Sequence, residues 1–368
     1  MKKRQLLFLS LLALGMLLML ACQPAEDAPS PEPPRETVIH VAGWGDASTG
    51  STPFYWQDGE LEYLDACIPS GSLIGEGYAH SIFVSGNDVY VAGWIFCIGR
   101  KACYWKNGVR TDLLQTQGTN YVRSIYVSGS DVYVAGWIDF RDYTIPCYWK
   151  NGARIELSRL GASAMAKAIF ISGSNVYVSW ETNVSVNMNP GIAIPCYWKN
   201  GARTDLGVID PQREGYANAI CFSAGNVYVA GSVVDTAYTG VPCYWVNGTR
   251  ITLSRLCAYT GWAESIQVSR NDVYVGGATQ STTTEIIHCY WKNDKRTDLS
   301  VVSPGKGGYV NSLFVLGNDV FAAGYGGLDP NQGSDYALPC YWKNATRVDL
   351  NTGTFPGAFA TGIFATYK

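Results

Sequence analysis

The sequence feature that most limits how this chain can fold is a twelve-residue phrase, PCYWKNGARTDL, which reads in full at Pro195–Leu206. Its Tyr-Trp pair occurs seven times, beginning at Tyr55 and ending at Tyr341, with spacings of 44 to 51 residues. A second phrase, SIFVSGNDVYVAGW at Ser81–Trp94, alternates with the first. A period in this range indicates a repeat architecture in which each unit packs on its neighbours. The chain from Val38 onward therefore reads as one array rather than as separate domains.

Each repeat unit contains four short extended segments, here named a to d in chain order. Segment a is of the SIFV type, b of the VYVAG type, c of the CYW type and d of the RTDL type. A tight Ser-Gly-Asn-Asp-like turn joins a to b, and an Asn-Gly turn, as at Asn107-Gly108, joins c to d. Such turns are strong hairpin signals. Segments a to c are apolar on both faces, which is typical of strands covered on both sides, whereas d alternates and meets water. Small four-stranded sheets packed face to face are the blades of a β-propeller.

The two ends of the chain indicate that the ring of blades is closed. The first repeat segment is a b strand, VIHVAGW, at Val38–Trp44, and the chain ends on an a strand, TGIFATYK, at Thr361–Lys368. The first unit therefore lacks an a segment, and the chain ends on an extra one. Every blade has its a, b and c strands only if the two termini share a blade, and this closure removes exposed strand edges. The sequence thus predicts an all-β, seven-bladed β-propeller over residues 38–368, with four antiparallel strands in each blade. We place segment a innermost because d is polar, although a phasing with c inside and b outside closes the ring equally well.

The N-terminal region has the pattern of an export signal. A basic start precedes an apolar run, and residues 1–21 have the form of a secretory signal peptide. The tripeptide Leu-Ala-Cys22 resembles the lipobox of bacterial lipoproteins, which implies lipidation of Cys22; simple secretion is the alternative. Residues 22–37 are rich in Pro, Glu and Ala and are expected to form a disordered tether. We therefore predict an exported protein that is lipid-anchored to the bacterial cell envelope.

Six of the eleven cysteines occupy one repeat position, directly before Tyr-Trp. Equivalent positions in neighbouring blades are about 10 Å apart, whereas a disulfide needs Cα atoms within about 7 Å. These six cysteines are therefore expected to be buried packing residues. Cys97 and Cys103 lie in one loop region and are a possible disulfide pair.

Charge and motif content narrow the function. The formal net charge of −3 gives no basis for binding nucleic acid, which calls for a basic face. The chain has three histidines and contains no HExxH, GxSxG or phosphate-binding loop motif. Carboxylates recur at one position of segment d, which favours a structural role over an acid–base pair. The sequence favours a monomeric, non-enzymatic protein with no cofactor and no metal site.

The candidate site follows from positions that the repeat leaves free. The long, variable b–c and d–a connections lie together on one face of the disc, here the loop-rich face, and such loops often carry function. A large residue, a small residue and a variable polar residue precede each a segment. With a innermost, the polar set rings the mouth of the central channel: His80, Arg123, Lys167, Asn218, Glu264, Asn311 and Thr361. A second, aromatic ring is expected at the ends of the b segments: Trp44, Trp94, Trp137, Trp180 and Tyr325.

Two interpretations of these rings stay open. The polar set either binds a ligand or is a solvated lining of the channel. The aromatic ring either stacks on sugars or is buried between blades. We predict a non-catalytic binding or scaffold module for a protein or carbohydrate ligand, with contact to the membrane only through the lipid anchor. The alternative is a glycan-active hydrolase or lyase that uses the polar residues at the channel mouth.

The CYWKNGxRTDL and SIxVSGNDVYVAG phrases together resemble the repeats of bacterial surface propellers. The first phrase is similar to the extracellular HAF-type repeat, with its aromatic-Trp-x-x-Gly-x-x-x-Asp-Leu core. The VYVAG-then-aromatic order resembles the blades of PQQ-like outer-membrane assembly propellers. The resemblance covers nearly all of residues 38–368. It implies the fold and no mechanism, because the catalytic quinoprotein residues have no counterpart in this sequence.

Overall fold

A computed structural model of the chain describes most of the repeat region. The described residues are 35–47, 50–66, 76–97, 99–114, 117–157, 163–184, 192–256, 259–281, 285–301, 308–328, 337–353, 355 and 357–368. The predicted signal peptide, the lipidation site Cys22 and most of the predicted tether lie outside them. No helix in the described ranges is long and apolar enough to cross a membrane.

The described strands form seven antiparallel sheets of four strands each, which are the blades. Blade 1 contains β1 (Thr37–Ala47), β2 (Gly50–Gln57), β3 (Glu60–Tyr63) and the last strand of the chain, β28 (Gly357–Tyr367). Blade 2 contains β4 (Glu76–Ser85), β5 (Asp88–Cys97), β6 (Gly99–Lys106) and β7 (Val109–Asp112). Blade 3 contains β8 (Thr119–Ser128), β9 (Asp131–Asp139), β10 (Thr144–Lys150) and β11 (Ala153–Glu156).

The remaining blades follow in chain order. Blade 4 contains β12 (Ser163–Ser172), β13 (Asn175–Val184), β14 (Ile192–Lys199) and β15 (Ala202–Asp205). Blade 5 contains β16 (Gly215–Ser223), β17 (Asn226–Val234), β18 (Gly240–Val246) and β19 (Thr249–Thr252). Blade 6 contains β20 (Gly261–Ser269), β21 (Asp272–Gln280), β22 (Ile286–Lys292) and β23 (Lys295–Asp298). Blade 7 contains β24 (Gly308–Leu316), β25 (Asp319–Leu328), β26 (Ala337–Lys343) and β27 (Thr346–Asp349).

The predicted ring closure is confirmed, because β28 lies beside β1 in the order β28-β1-β2-β3. One a strand from each blade lines a single central cavity: β4, β8, β12, β16, β20, β24 and β28. Segment a is therefore the innermost strand, and the phasing with c inside is excluded. The ring falls within one compact unit, Val38–Thr366. In a second unit, which includes Arg35–Thr37 and Tyr367–Lys368, Lys368 Nζ lies 2.6 Å from Glu36 Oε1.

The c–d turns have the geometry that their Asn-Gly sequences predict. Asn107 and Gly108 have φ values of 48° and 77°, as a type I′ hairpin turn requires. Asn107 also accepts a hydrogen bond at Oδ1 from the Val89 amide at 2.8 Å and donates from Nδ2 to Asp88 at 2.8 Å. The recurring asparagine therefore fixes the turn and ties it to strand b of the same blade.

The strand-c tryptophans form the contacts between blades. Trp149 is fully buried, and its indole Nε1 donates to the Leu114 carbonyl of the preceding blade at 3.2 Å. Trp342 donates in the same way to the Ser300 carbonyl at 2.7 Å. A buried indole whose N–H is satisfied gives a large apolar contact without an unpaired donor. The repeated tryptophan of strand c therefore serves packing between blades.

The repeat cysteines are buried, free thiols, as their spacing predicts: Cys103, Cys147, Cys196, Cys243, Cys289 and Cys340. Burial raises the thiol pKa at each of these positions, for example to about 12 at Cys340.

The predicted pairing of Cys97 with Cys103 is wrong. Cys103 is a free thiol facing the blade core, while Cys97, at the end of β5, is disulfide-bonded elsewhere.

Native alkylation tests this assignment of the cysteines. Because the buried thiols hold their protons and lie out of contact with solvent, iodoacetamide at neutral pH should leave all six repeat cysteines unmodified. Denaturant should make them react. Mass spectrometry of tryptic peptides reads both states, and rapid native labelling of Cys147 or Cys243 would contradict the packing role.

Candidate functional site

The predicted polar set lies at a β-bulge within the innermost strand, not before it. In β4, Ala79 pairs with Gly93 and Ser81 pairs with Ala92, so His80 is the extra, unpaired residue. The same register shift occurs in five other blades and leaves one extra residue in each: Arg123, Lys167, Asn218, Glu264 and Asn311. A bulge re-aims a side chain and is frequent beside functional sites. All six side chains, with Thr361 of β28, line the central cavity.

Three members of the polar set are engaged in bonds between blades. Asn218 Nδ2 donates to the Ala263 carbonyl at 3.0 Å, and Asn311 Nδ2 donates to the Ala360 carbonyl at 2.8 Å. Thr361 Oγ1 donates to the Ala79 carbonyl at 2.9 Å. These contacts hold neighbouring innermost strands together at the level of the bulge. The members of the set that do not form these bonds between blades are His80, Arg123, Lys167 and Glu264.

The charged members of the set face one another across the channel. Lys167 Nζ lies 3.5 Å from Oε1 of Glu181 on β13. Burial raises the pKa of Glu264 to about 7, with a smaller contribution from Glu181, while Lys167 and Arg123 oppose the rise. Partial desolvation in the channel lowers the pKa of Arg123. Glu264 thus exchanges its proton near neutrality.

His80 is uncharged at neutral pH. Burial lowers its pKa to about 3, and the positive charges of Arg123 and Arg100 contribute to the shift. Its ring stacks on Tyr78 with 6.5 Å between the ring centroids. His80 therefore presents a neutral imidazole at the channel mouth.

Aromatic rings follow one another around five of the seven blades, each in contact with the next except between Trp94 and Tyr121, and we call this chain of rings the aromatic arc. The closest contacts are between Trp44 and Phe359, with centroids 4.1 Å apart, and between Tyr78 and Trp94, with centroids 4.3 Å apart. Tyr121 and Trp137 stack nearly parallel at 4.9 Å. The arc runs from blade 6 to blade 3 through the following residues: Trp262, Tyr309, Tyr325, Phe359, Trp44, Tyr78, Trp94, Tyr121 and Trp137.

A guanidinium group bridges the arc between blades 2 and 3. Arg100 Cζ lies 3.9 Å from the ring centroid of Trp94 and 4.4 Å from that of Tyr121. Arg123 Cζ lies 5.7 Å from the ring centroid of Trp137. Arg100 could not be predicted from the sequence, because it lies beside the variable b–c connection, where the repeat gives no register.

Trp180 is not part of the aromatic ring, and that prediction is wrong. Blade 4 lacks the glycine that precedes the aromatic residue in other blades, so Trp180 pairs with Cys196, whereas Trp137 pairs with Pro146. A slip of one residue moves a strand side chain to the other face of the sheet. Trp180 is accordingly fully buried in the core between blades, and Glu181 takes the ring position.

The arc and the bulge residues enclose a cavity of about 430 Å³ at the mouth of the channel, lined by Tyr78, Tyr325 and Arg123 among others. Below it, a cavity of about 430 Å³ runs between the innermost strands. Deeper aromatic rings line that channel, among them Phe83 and Tyr126, whose centroids are 4.7 Å apart. In the described part of the chain, no group of three or more His, Cys, Asp or Glu side chains could hold a metal ion. The mouth therefore combines aromatic faces with mixed charge.

Comparison with known proteins identifies the fold. No protein-family model matches the sequence, and no curated protein matches it. Among solved structures, a PL25 polysaccharide lyase, an ulvan lyase, aligns with a TM-score of 0.55 at 9% identity, over 86% of this chain and 92% of the lyase. The same kind of lyase bound to -[GlcA(1-4)Rha3S]- aligns with a TM-score of 0.53 at 9% identity, over the same shares of both chains. At such identity the likeness extends to the fold alone, and this chain is a seven-bladed β-propeller.

Proposed function

We propose that this propeller is a carbohydrate-binding protein that holds a glycan against the aromatic arc at the channel mouth. The observation that carries the proposal is the aromatic wall of a cavity of about 430 Å³, which is formed by Tyr325, Phe359, Trp44, Tyr78, Trp94 and Tyr121. A carbohydrate suits this wall better than a protein partner does, because pyranose rings present flat C–H faces. In this proposal the protein is a non-catalytic, lipid-anchored binding module of the cell envelope.

The rings of the arc are available to a ligand to different degrees. Tyr309 is 36% exposed, and Tyr78, Trp44 and Tyr325 are half-buried, whereas Trp94 and Trp137 are buried. Aromatic side chains supply a large contact area at a low cost in conformational entropy. The exposed rings therefore provide the sugar contacts, and the buried rings hold them in place. Support from outside the chain comes from the fold it shares with a lyase that binds a disaccharide repeat.

A glycan array tests the binding proposal. The mature domain should bind at least one glycan class, and Tyr325→Ala or Trp44→Ala should weaken that binding by about tenfold or more, since aromatic anchors dominate such interfaces. Tyr63→Ala is the matched control, because Tyr63 is 52% exposed and lies on the outer strand β3. Equal loss in all three variants, or no loss in any of them, would contradict the assignment of the site.

A glycan-active lyase or hydrolase is the second candidate function. It is supported by Glu264, which faces the channel and whose pKa of about 7 suits an acid or base. His80 faces the same channel as a neutral imidazole, which can donate or accept a hydrogen bond. Incubation with the bound glycan should produce no absorbance from unsaturated uronides and no new reducing ends if the protein only binds. Turnover that is lost in both His80→Ala and Glu264→Gln would establish the enzyme instead.

A further inference from the structure

We infer that the glycan is anionic and that Arg100 and Arg123 bind its carboxylate or sulfate groups. This inference rests on the proposed function and names the class of ligand. It comes from the pairing state of the arginine side chains and from the charge of the mouth.

Arg100 is held in place but is not neutralised. Its guanidinium lies between the rings of Trp94 and Tyr121, and its Nε is buried without a hydrogen-bond partner. Among the described residues, no carboxylate forms an ion pair with it. A guanidinium group that two aromatic faces desolvate, and that no carboxylate of the chain neutralises, is stabilised when an anion binds its terminal amino groups.

Arg110 on the outer strand β7 shows the contrast. Its Nε lies 2.9 Å from Asp112 Oδ1, and its Nη1 lies 2.8 Å from Asp65 Oδ2. Carboxylates of the chain therefore neutralise Arg110. Arg100 differs from it because no carboxylate in the described ranges pairs with it, which leaves its charge for a group from outside the chain.

At the mouth, Arg123 is the second cation that has no ion pair within the described ranges. It stands on the bulge of β8 and is exposed to the channel, with the face of Trp137 beside it. Glu264 and Glu181 influence its pKa through space, but within the described ranges neither carboxylate lies within ion-pair distance of it. Its guanidinium is therefore directed into the cavity that the aromatic arc lines.

Charges of both signs lie at the mouth, and Arg100 and Arg123 are its cations without an ion pair among the described residues. Arg123 and Lys167 act through space on Glu264, and Arg100 acts on His80. Lys167 already pairs with Glu181. A cation that no carboxylate of the chain neutralises attracts an anionic ligand to the cleft.

The stacked guanidinium groups suit an acidic sugar. Stacking on an aromatic face fixes the plane of an arginine while its edge N–H groups stay free to bind carboxylate or sulfate in a bidentate way. A uronate or sulfated sugar can thus place its ring on the arc and its anionic substituent at the edge of Arg100 or Arg123. A neutral glycan would satisfy the aromatic rings and leave both cations unpaired.

Binding of an anionic glycan should strengthen as the pH falls through about 7. Protonation removes the negative charge of Glu264, whose pKa is about 7, and makes the mouth more positive. The charged groups that face it are Arg123, Lys167 and Glu181; His80 stays neutral in this range because its pKa is about 3. Titration calorimetry at about pH 6 and about pH 8 should show a several-fold difference in affinity, which Glu264→Gln abolishes. A pH dependence unchanged in Glu264→Gln would contradict this role.

The inference is tested with paired polysaccharides on an array, each sulfated or uronic polymer printed beside its desulfated or carboxyl-reduced form. Wild-type protein should bind only the anionic members. Comparison of the pairs shows whether the protein binds the sulfate or the carboxylate group. Arg123→Ala and Arg100→Ala should each weaken binding by about tenfold or more, and the lysine variants should recover only part of it. Arg110→Ala is the control and should bind like the wild type, with thermal melting reporting that each variant folds.

The outcomes separate the inference from the proposed function. Equal or stronger binding of the neutral forms, or full affinity in both arginine-to-alanine variants, would overturn the anionic ligand while leaving a carbohydrate-binding propeller. Binding to no polymer of either kind would overturn the proposed function and, with it, the inference.

Discussion

Deletion of Gly357–Lys368 should abolish cooperative unfolding of the propeller. The deletion removes β28, the innermost strand of blade 1, and leaves a ring with one incomplete blade. The buried Ala360 and Ile363 would be lost from the blade 1 core, together with the bond from the Ile363 amide to Ser312 Oγ at 3.3 Å. The free energy of unfolding of a domain is only about 5–15 kcal/mol in total. Loss of the closing strand should therefore remove most of that stability. Circular dichroism during thermal melting measures the effect.

A circular permutant is the matched control for that deletion. It carries the same residues, with the β28 sequence joined through a short flexible linker to the start of β1, its neighbour in the sheet. It should recover a single cooperative transition, because the blade is complete again although the chain order has changed. Equal melting of the truncated and full-length proteins would contradict closure of the ring by the two termini.

Trp149→Ala should destabilise the ring by about 3–5 kcal/mol, the range for removing a large buried aromatic side chain. Trp149 is fully buried between blades 2 and 3 and packs with Val134 and Leu113. The substitution also leaves the Leu114 carbonyl without its indole donor. Chemical denaturation gives the free energy of unfolding directly.

Trp149→Phe separates packing from hydrogen bonding at the same position. It keeps most of the apolar contact and loses the N–H donor, so it should cost less than the alanine variant, by roughly 1–3 kcal/mol in total. Tyr63→Ala, on the outer strand, should fall within about 1 kcal/mol of the wild type. Equal stability of Trp149→Ala and the wild type would mean that the repeated tryptophans do not hold the blades together.

The fold was predictable because the same sequence pattern occurs seven times. Each copy indicates the same order of strands and turns, so a copy with an unclear pattern can be assigned by comparison with the others. The unequal ends of the array, a b segment at Val38–Trp44 and an a segment at Thr361–Lys368, made closure the only balanced arrangement. Turn chemistry at Asn107-Gly108 fixed the hairpins locally.

The candidate site was predictable only in part, because it depends on departures from the repeat. The polar set was found by comparing units, but the bulge that aims His80 into the channel depends on strand pairing, which no single strand reveals. Trp180 does not belong to the predicted aromatic ring, because one missing glycine shifts its register relative to Trp137 and turns its side chain into the core. The position of Arg100 and the disulfide of Cys97 could not be predicted, because both residues flank the b–c connection of blade 2. The repeat copies share no sequence pattern in that connection.

The most direct measurement is the crystal structure of the propeller in complex with an oligosaccharide of the glycan that it binds best. Sugar rings should lie against Tyr78, Trp44 or Tyr325, with an anionic group within hydrogen-bond distance of Arg100 or Arg123. A ligand bound on the outer loops, or between blades with the channel mouth empty, would contradict the proposed site.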